Sequence, residues 1–96
     1  MKTYTKTYLT YFGYDESDFI PCECGCGKRA VDIHHLEPRS RRKDLINKIE
    51  NLVALTRECH EKAETNKEFN NELKLKHVKK IMACTRNNEL TKYISE

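Results

Sequence analysis

The sequence has no tryptophan, three glycines and two prolines in 96 residues. Collagen needs glycine at every third position, so that class is excluded. Long apolar runs are missing as well. No stretch approaches the roughly 18 to 20 residues that cross a bilayer, and no membrane partner is expected. Met1-Lys2-Thr3-Tyr4-Thr5-Lys6 has no apolar segment behind it, so no secretory signal is read there and a cytoplasmic location is expected. Internal repeats, low-complexity tracts, linkers and coiled-coil patterning are also absent. Neither sign of charge dominates: 18 Lys and Arg against 15 Asp and Glu give +3 with His neutral. A charge of that size does not by itself point to nucleic acid.

What is present suits one domain over residues 1–96. The chain is 38% hydrophobic and 34% charged, enough for a modest core. Cys22, Cys24, Cys26, Cys59 and Cys84 are odd in number and follow no export signal, which argues against a disulfide framework. Three of them fall in Pro21-Cys22-Glu23-Cys24-Gly25-Cys26-Gly27. Thiols so close on a Gly-rich turn suit a metal knuckle; a set of free thiols on a loop is the plainer alternative.

Tyr4, Tyr8 and Tyr11/Phe12 recur at helical spacing, predicting a helix over 3–12 that stops at Gly13. Residues 30–35 alternate and are β-branched, predicting a strand; 52–55 predict a second. Between them, 36–50 reads as a long basic loop, uncommon in a small domain unless functional. Thr56 is placed to cap a helix from about 57 to 69. Asn70-Asn71 reads as a break, followed by a helix over 72–85 and a polar, fraying tail beyond Asn87-Asn88.

A hairpin packed on a helix brings the first strand's end to the first helical turn. His34 then faces His60, with Glu64 one turn further on the same face. Two imidazoles and a carboxylate make an open divalent-ion site. His35, the strand neighbour, points elsewhere and is suited to take a proton from water. Each feature has an ordinary reading too: packed or surface histidines, a solvent-facing Glu64, a Cys59–His60 packing or zinc pair, a packed His77. Arg39, Arg41, Arg42 and Lys43 lie in the loop beside this site, and Lys67, Lys74, Lys76, Lys79, Lys80 and Arg86 form a second basic segment. Each is equally a solvated face.

The strings Asp32-Ile33-His34-His35-Leu36-Glu37-Pro38 and Asn51-Leu52-Val53-Ala54-Leu55-Thr56-Arg57-Glu58-Cys59-His60 together resemble the HNH endonuclease family, over about residues 22–66. That resemblance implies an α+β fold: a ββα-metal core of a two-stranded hairpin and a helix, here with N- and C-terminal helices on either side. It implies that His35 is the general base, that Asn51 orders the loop and holds the base, and that His34 and His60 are metal ligands. Relatives carry a further ligand, often His, one turn after His60; this chain has Glu64. An oxygen ligand there favours Mg²⁺ or Mn²⁺ over zinc or nickel. Relatives also carry Cys-x-x-Cys twice around a structural zinc. Here the first pair is Cys22-x-Cys24-x-Cys26, and Thr56 stands where a third cysteine is expected. Cys22, Cys24, Cys26 and Cys59 supply four thiolates, or Cys84 returns from the last helix, or the zinc is lost. The implied function is hydrolysis of DNA backbones, nicking one strand per site to leave 5′-phosphate and 3′-hydroxyl. Arg39, Arg41, Arg42 and Lys43 would contact the backbone with weak sequence preference, in a monomer or homodimer. Two rivals fit parts of the pattern. One is a non-catalytic zinc-binding DNA-binding or adaptor module. The other is a nuclease subunit active only among phage packaging proteins.

Overall fold

The computed structural model describes residues 2–38 and 40–94, with backbone alone from residue 85 onward. Arg39 and the side chain of Arg86 lie outside the described residues.

The first helix, α1, spans Thr3–Phe12. Its stripe of Tyr4, Tyr8 and Phe12 packs inward, and Tyr8 is fully buried. Strands β1 (Asp32–His35) and β2 (Leu52–Leu55) pair antiparallel, with Asp32 opposite Leu55 and His35 opposite Leu52. Side chains alternate along a strand, and β2 uses both faces. Leu52 and Ala54 turn toward α1, while Val53 and Leu55 turn toward a second cluster with Cys22, Leu36, Ala63 and Leu73. Full burial of each such aliphatic side chain contributes about 1.5–3 kcal/mol. β2 is therefore the sheet between two small cores.

Helix α2 (Arg57–Thr65) begins where Thr56 accepts a hydrogen bond from the Cys59 amide at 3.2 Å. It ends at Asn66, and α3 runs from Lys67 to Ile94. This corrects the expected break. Asn66 is extended (φ −126°, ψ 104°), and its side chain accepts from the Phe69 amide at 3.0 Å, capping α3. Asn70 and Asn71 instead sit inside α3, and the helix continues through Asn87-Asn88 where a fraying tail was expected. No described helix is long and apolar enough to cross a membrane.

The segment between the strands is not a featureless loop. It forms single 3-10 turns at Lys43–Leu45 and Ile49–Asn51. Asn51, 3% exposed, clamps it: its Oδ1 accepts from the Glu37 amide at 2.7 Å, and its Nδ2 donates to the Glu37 and Leu45 carbonyls. The two-stranded hairpin, α2 and the flanking helices make an α+β fold with the ββα arrangement.

His77 is packed, but not simply against carbon. It is fully buried, with Nδ1 2.7 Å from Glu23 Oε1 and Nε2 donating to the Ile49 carbonyl at 2.6 Å. Tyr8 Oη and the Ala54 amide both donate to the other Glu23 oxygen. Both ring nitrogens of His77 thus face oxygen partners, one a carboxylate and one a backbone carbonyl. Burial works to raise the Glu23 carboxyl, but His77, Tyr8 and Ala54 outweigh it and hold it below the usual range. Burial and the Glu23 charge push the Tyr8 phenol up.

Candidate metal centre and active site

The two ends of the ββα unit carry two separate groups of metal-ligating side chains. At one end, one ligand atom each from His34, His60 and Glu64 lies within 4.8 Å of the others. His34 closes β1, and His60 and Glu64 share one face of α2 at i, i+4. The His34 and His60 rings are 5.1 Å apart between centroids.

Hydrogen bonds decide which nitrogens carry lone pairs. His60 Nδ1 is 3.1 Å from Asp32 Oδ2, and the Arg57 guanidinium donates to both oxygens of that carboxylate, at 2.9 Å to Oδ2 and 3.1 Å to Oδ1. Burial tends to raise the Asp32 carboxyl, but His60 and Arg57 win and lower it, so it is an anion that accepts. The proton of a neutral His60 therefore sits on Nδ1. Its Nε2 lone pair faces Glu64 Oε1 at 3.2 Å. Two electron-rich atoms at that distance call for a positive centre beside them, either a proton on His60 or a cation. Burial, with the neighbouring His60, holds the His34 ring below its ordinary pKa, which keeps it neutral and able to donate a lone pair. Two neutral imidazoles and a carboxylate fit a divalent ion and leave positions open for water or phosphate oxygen.

His35 lines the same cleft, a space of about 1030 Å³ that also includes Tyr4, Arg41, Lys67 and Asn70. Its Nε2 donates to the Ile46 carbonyl at 3.0 Å. A carbonyl only accepts, so in the neutral ring Nδ1 is the basic nitrogen. Tyr4 meets the ring edge-on at 4.7 Å between centroids. Asn51 does not touch the ring in its hydrogen bonds. It donates to the Leu45 carbonyl, one residue before the carbonyl that meets His35.

At the other end, Cys22, Cys24, Cys26 and Cys59 bring their sulfurs within 4.8 Å of one another. Cys22–Cys24 and Cys24–Cys59 are 3.2 and 3.1 Å apart. Gly25 and Gly27 make the turn possible, at φ 87° and 81°, where a side chain would be strained. The Thr56 amide donates to Cys22 Sγ at 3.3 Å, and Lys76 donates to the Cys24 carbonyl at 2.9 Å. Burial and neighbouring thiols push the Cys24 thiol up. That thiol is not reactive by itself but suits a metal that displaces its proton. Cys84 is not part of the group. Its sulfur lies 3.7 Å from the Tyr11 carbonyl, because α3 carries it along the α1 side of the fold. Three thiols of the knuckle and one from α2 thus complete the set that Thr56 leaves short.

Of the basic residues in the loop, Arg41 lines the cleft. Arg42 is neutralised locally by Asp44 at 2.9 and 3.1 Å, and Lys43 opens the adjoining 3-10 turn. Sequence reasoning gave no site role to Asp32 or Asn70, and it placed Lys67 in the second basic segment without setting it beside the cleft. Asp32 stands two residues before His34 within the hairpin string, the only signal available for it.

A model of the HNH endonuclease family matches residues 22–66. No curated protein and no solved structure matches the chain.

Proposed function

We infer from the HNH endonuclease family, to which the chain belongs through residues 22–66, that it is a metal-dependent endonuclease hydrolysing DNA phosphodiester bonds. The observation that carries this reading is the convergence of His34, His60 and Glu64 within 4.8 Å in a cleft that His35 also lines. His34, His60 and Glu64 would hold a divalent ion. When bound, such an ion supplies Lewis-acid stabilisation of charge building on phosphate and leaving oxygens.

The chain's own residues account for the rest. His35 Nδ1 accepts a proton from water, and the water oxygen attacks phosphorus. The bond from phosphorus to the 3′ oxygen breaks, and that oxygen takes a proton from solvent water, leaving 5′-phosphate and 3′-hydroxyl ends. The Ile46 carbonyl and Tyr4 hold the His35 ring while it gains charge. Asp32 keeps the His60 proton on Nδ1 and Nε2 available. Arg41 and Lys67 give the cleft a positive lining for a phosphate backbone, without base readout. Cys22, Cys24, Cys26 and Cys59 would hold a structural zinc, which would tie the knuckle to α2. One such cleft cuts one strand.

A supercoiled-plasmid assay tests this. Nicked circles should form with Mg²⁺ or Mn²⁺ and cease with chelator. Absence of nicking across Mg²⁺, Mn²⁺ and Zn²⁺ would favour a binding module instead.

A further inference from the structure

Asn70 lies outside the matched segment, in α3, and it touches the site. Its Oδ1 is 2.7 Å from His34 Nε2. Its Nδ2 donates to the Leu36 carbonyl at 3.2 Å. The second bond fixes the first. A backbone carbonyl only accepts, so the amide NH₂ must face Leu36 and the amide oxygen must face the ring. That oxygen also only accepts, so His34 Nε2 must carry hydrogen. A neutral imidazole has one, and the lone pair is therefore on Nδ1.

We propose that Asn70 is the positioning residue for His34: it sets the ring's tautomer and orientation so that Nδ1 is presented to a divalent cation. This rests on the reading of His34, His60 and Glu64 as a cation site. Each imidazole then has its own partner on the nitrogen away from the cation. His60 has Asp32, inside the matched segment; His34 has Asn70, beyond it. The pairing differs in charge for a physical reason. His34 is 5% exposed and Leu36 6%, so a neutral amide is the cheaper acceptor there, whereas the Asp32 carboxylate is shared with an exposed Arg57. Asn66 sets the reach. It caps α3, and the Asn70 amide donates to its carbonyl at 3.1 Å, which puts Asn70 one turn along and over β1. The helix after the ββα unit is thus a wall of the metal site.

Two substitutions separate this role from simple packing. Asn70→Asp keeps an acceptor toward His34 and loses the donor to Leu36. Asn70→Leu loses both. Mn²⁺ binding is followed by electron paramagnetic resonance, with the thiol metal left in place. Asn70→Leu should weaken Mn²⁺ binding about 10- to 100-fold, and Asn70→Asp should stay close to the unvaried protein. Equal loss in both, or loss in neither, overturns the proposal. In a His34→Ala background, Asn70→Leu should cost no further affinity; a further loss of the same size overturns it. Long-range ¹H–¹⁵N spectra of the unvaried protein give a reading that needs no variant. His34 should be protonated at Nε2, and protonation at Nδ1 overturns the assignment. If the unvaried protein binds no Mn²⁺, the cation-site reading falls and this proposal with it.

Discussion

Asp32 and His60 are 28 residues apart and 3.1 Å apart, joined carboxylate to Nδ1 across the seam between β1 and α2. One residue in the hairpin thereby sets the chemistry of one in the helix. With its proton drawn to Asp32, His60 turns Nε2 toward Glu64. Asp32→Ala removes the acceptor and lets the ring rotate and change tautomer. Divalent-ion affinity should fall about 10- to 100-fold. Mn²⁺ titration measures it, and an unchanged metal content at the thiols shows that the fold survives. An affinity equal to that of the unvaried protein would mean Asp32 serves only Arg57.

His35 is separable from the metal ligands by the same logic. Its Nε2 donates to the Ile46 carbonyl, and it is not one of the three side chains whose ligand atoms converge at the cation site. His35→Ala should therefore bind Mn²⁺ and DNA as the unvaried protein does and nick plasmid about 10²- to 10⁴-fold more slowly, the range for a lost general base. Gel shift and nicking on one preparation check both halves. Nicking at the original rate would remove His35 from the mechanism.

Local features of this chain were readable in advance, and distant pairings were not. Tyr4, Tyr8 and Phe12 predict α1 because their spacing is a property of one segment. Leu52–Leu55 predicts β2, and Thr56 its following cap, for the same reason. The α2–α3 boundary was misread at Asn70-Asn71 because asparagine caps a helix or rides inside one according to what its side chain meets. Asn66 meets the Phe69 amide at a helix start; Asn70 meets His34 and Leu36 across 36 and 34 residues. His77 looked like an apolar-face residue since Glu23, its partner, is 54 positions away. Sequence spacing reports neighbours on an element, while these contacts exist only once elements pack.

The thiols offer a sharper distinction than sequence did. Cys22, Cys24, Cys26 and Cys59 form one group, and Cys84 stands against Tyr11. Elemental analysis after dialysis should find one zinc per chain. Cys59→Ser should lose it, since α2 supplies no other thiol, and Cys84→Ser should keep it. Zinc lost from Cys84→Ser would place the site elsewhere.

Arg41 and Arg42 are adjacent but unequal. Arg41 lines the cleft, and Arg42 is engaged by Asp44. If Arg41 neutralises one phosphate, Arg41→Ala should weaken binding to any DNA sequence and reduce the salt slope by about 1. Arg42→Ala should change the slope less. Binding isotherms across a salt series, on two unrelated duplexes, measure it.

The buried Glu23–His77 pair makes a prediction about stability and its pH dependence. His77 is fully buried and the Glu23 side chain is 3% exposed, so removing one partner leaves the other in a dry site. His77→Ala should cost about 3–5 kcal/mol at neutral pH. The sign with pH follows from Glu23, whose carboxyl is held below the ordinary 4.5 in the folded protein. A depressed carboxyl contributes stability that is present above the unfolded value and lost as pH falls through the folded one. In His77→Ala the largest lowering influence on that carboxyl is gone, and only Tyr8 and the Ala54 amide are left against burial, so that contribution shrinks. The gap between the two proteins should be widest above about pH 5 and narrow on acidification below the ordinary 4.5. Denaturant unfolding of both proteins from neutral pH into acid gives the gap at each point. A gap that stays constant would assign the loss to the cavity left by the ring instead of to the charge pair.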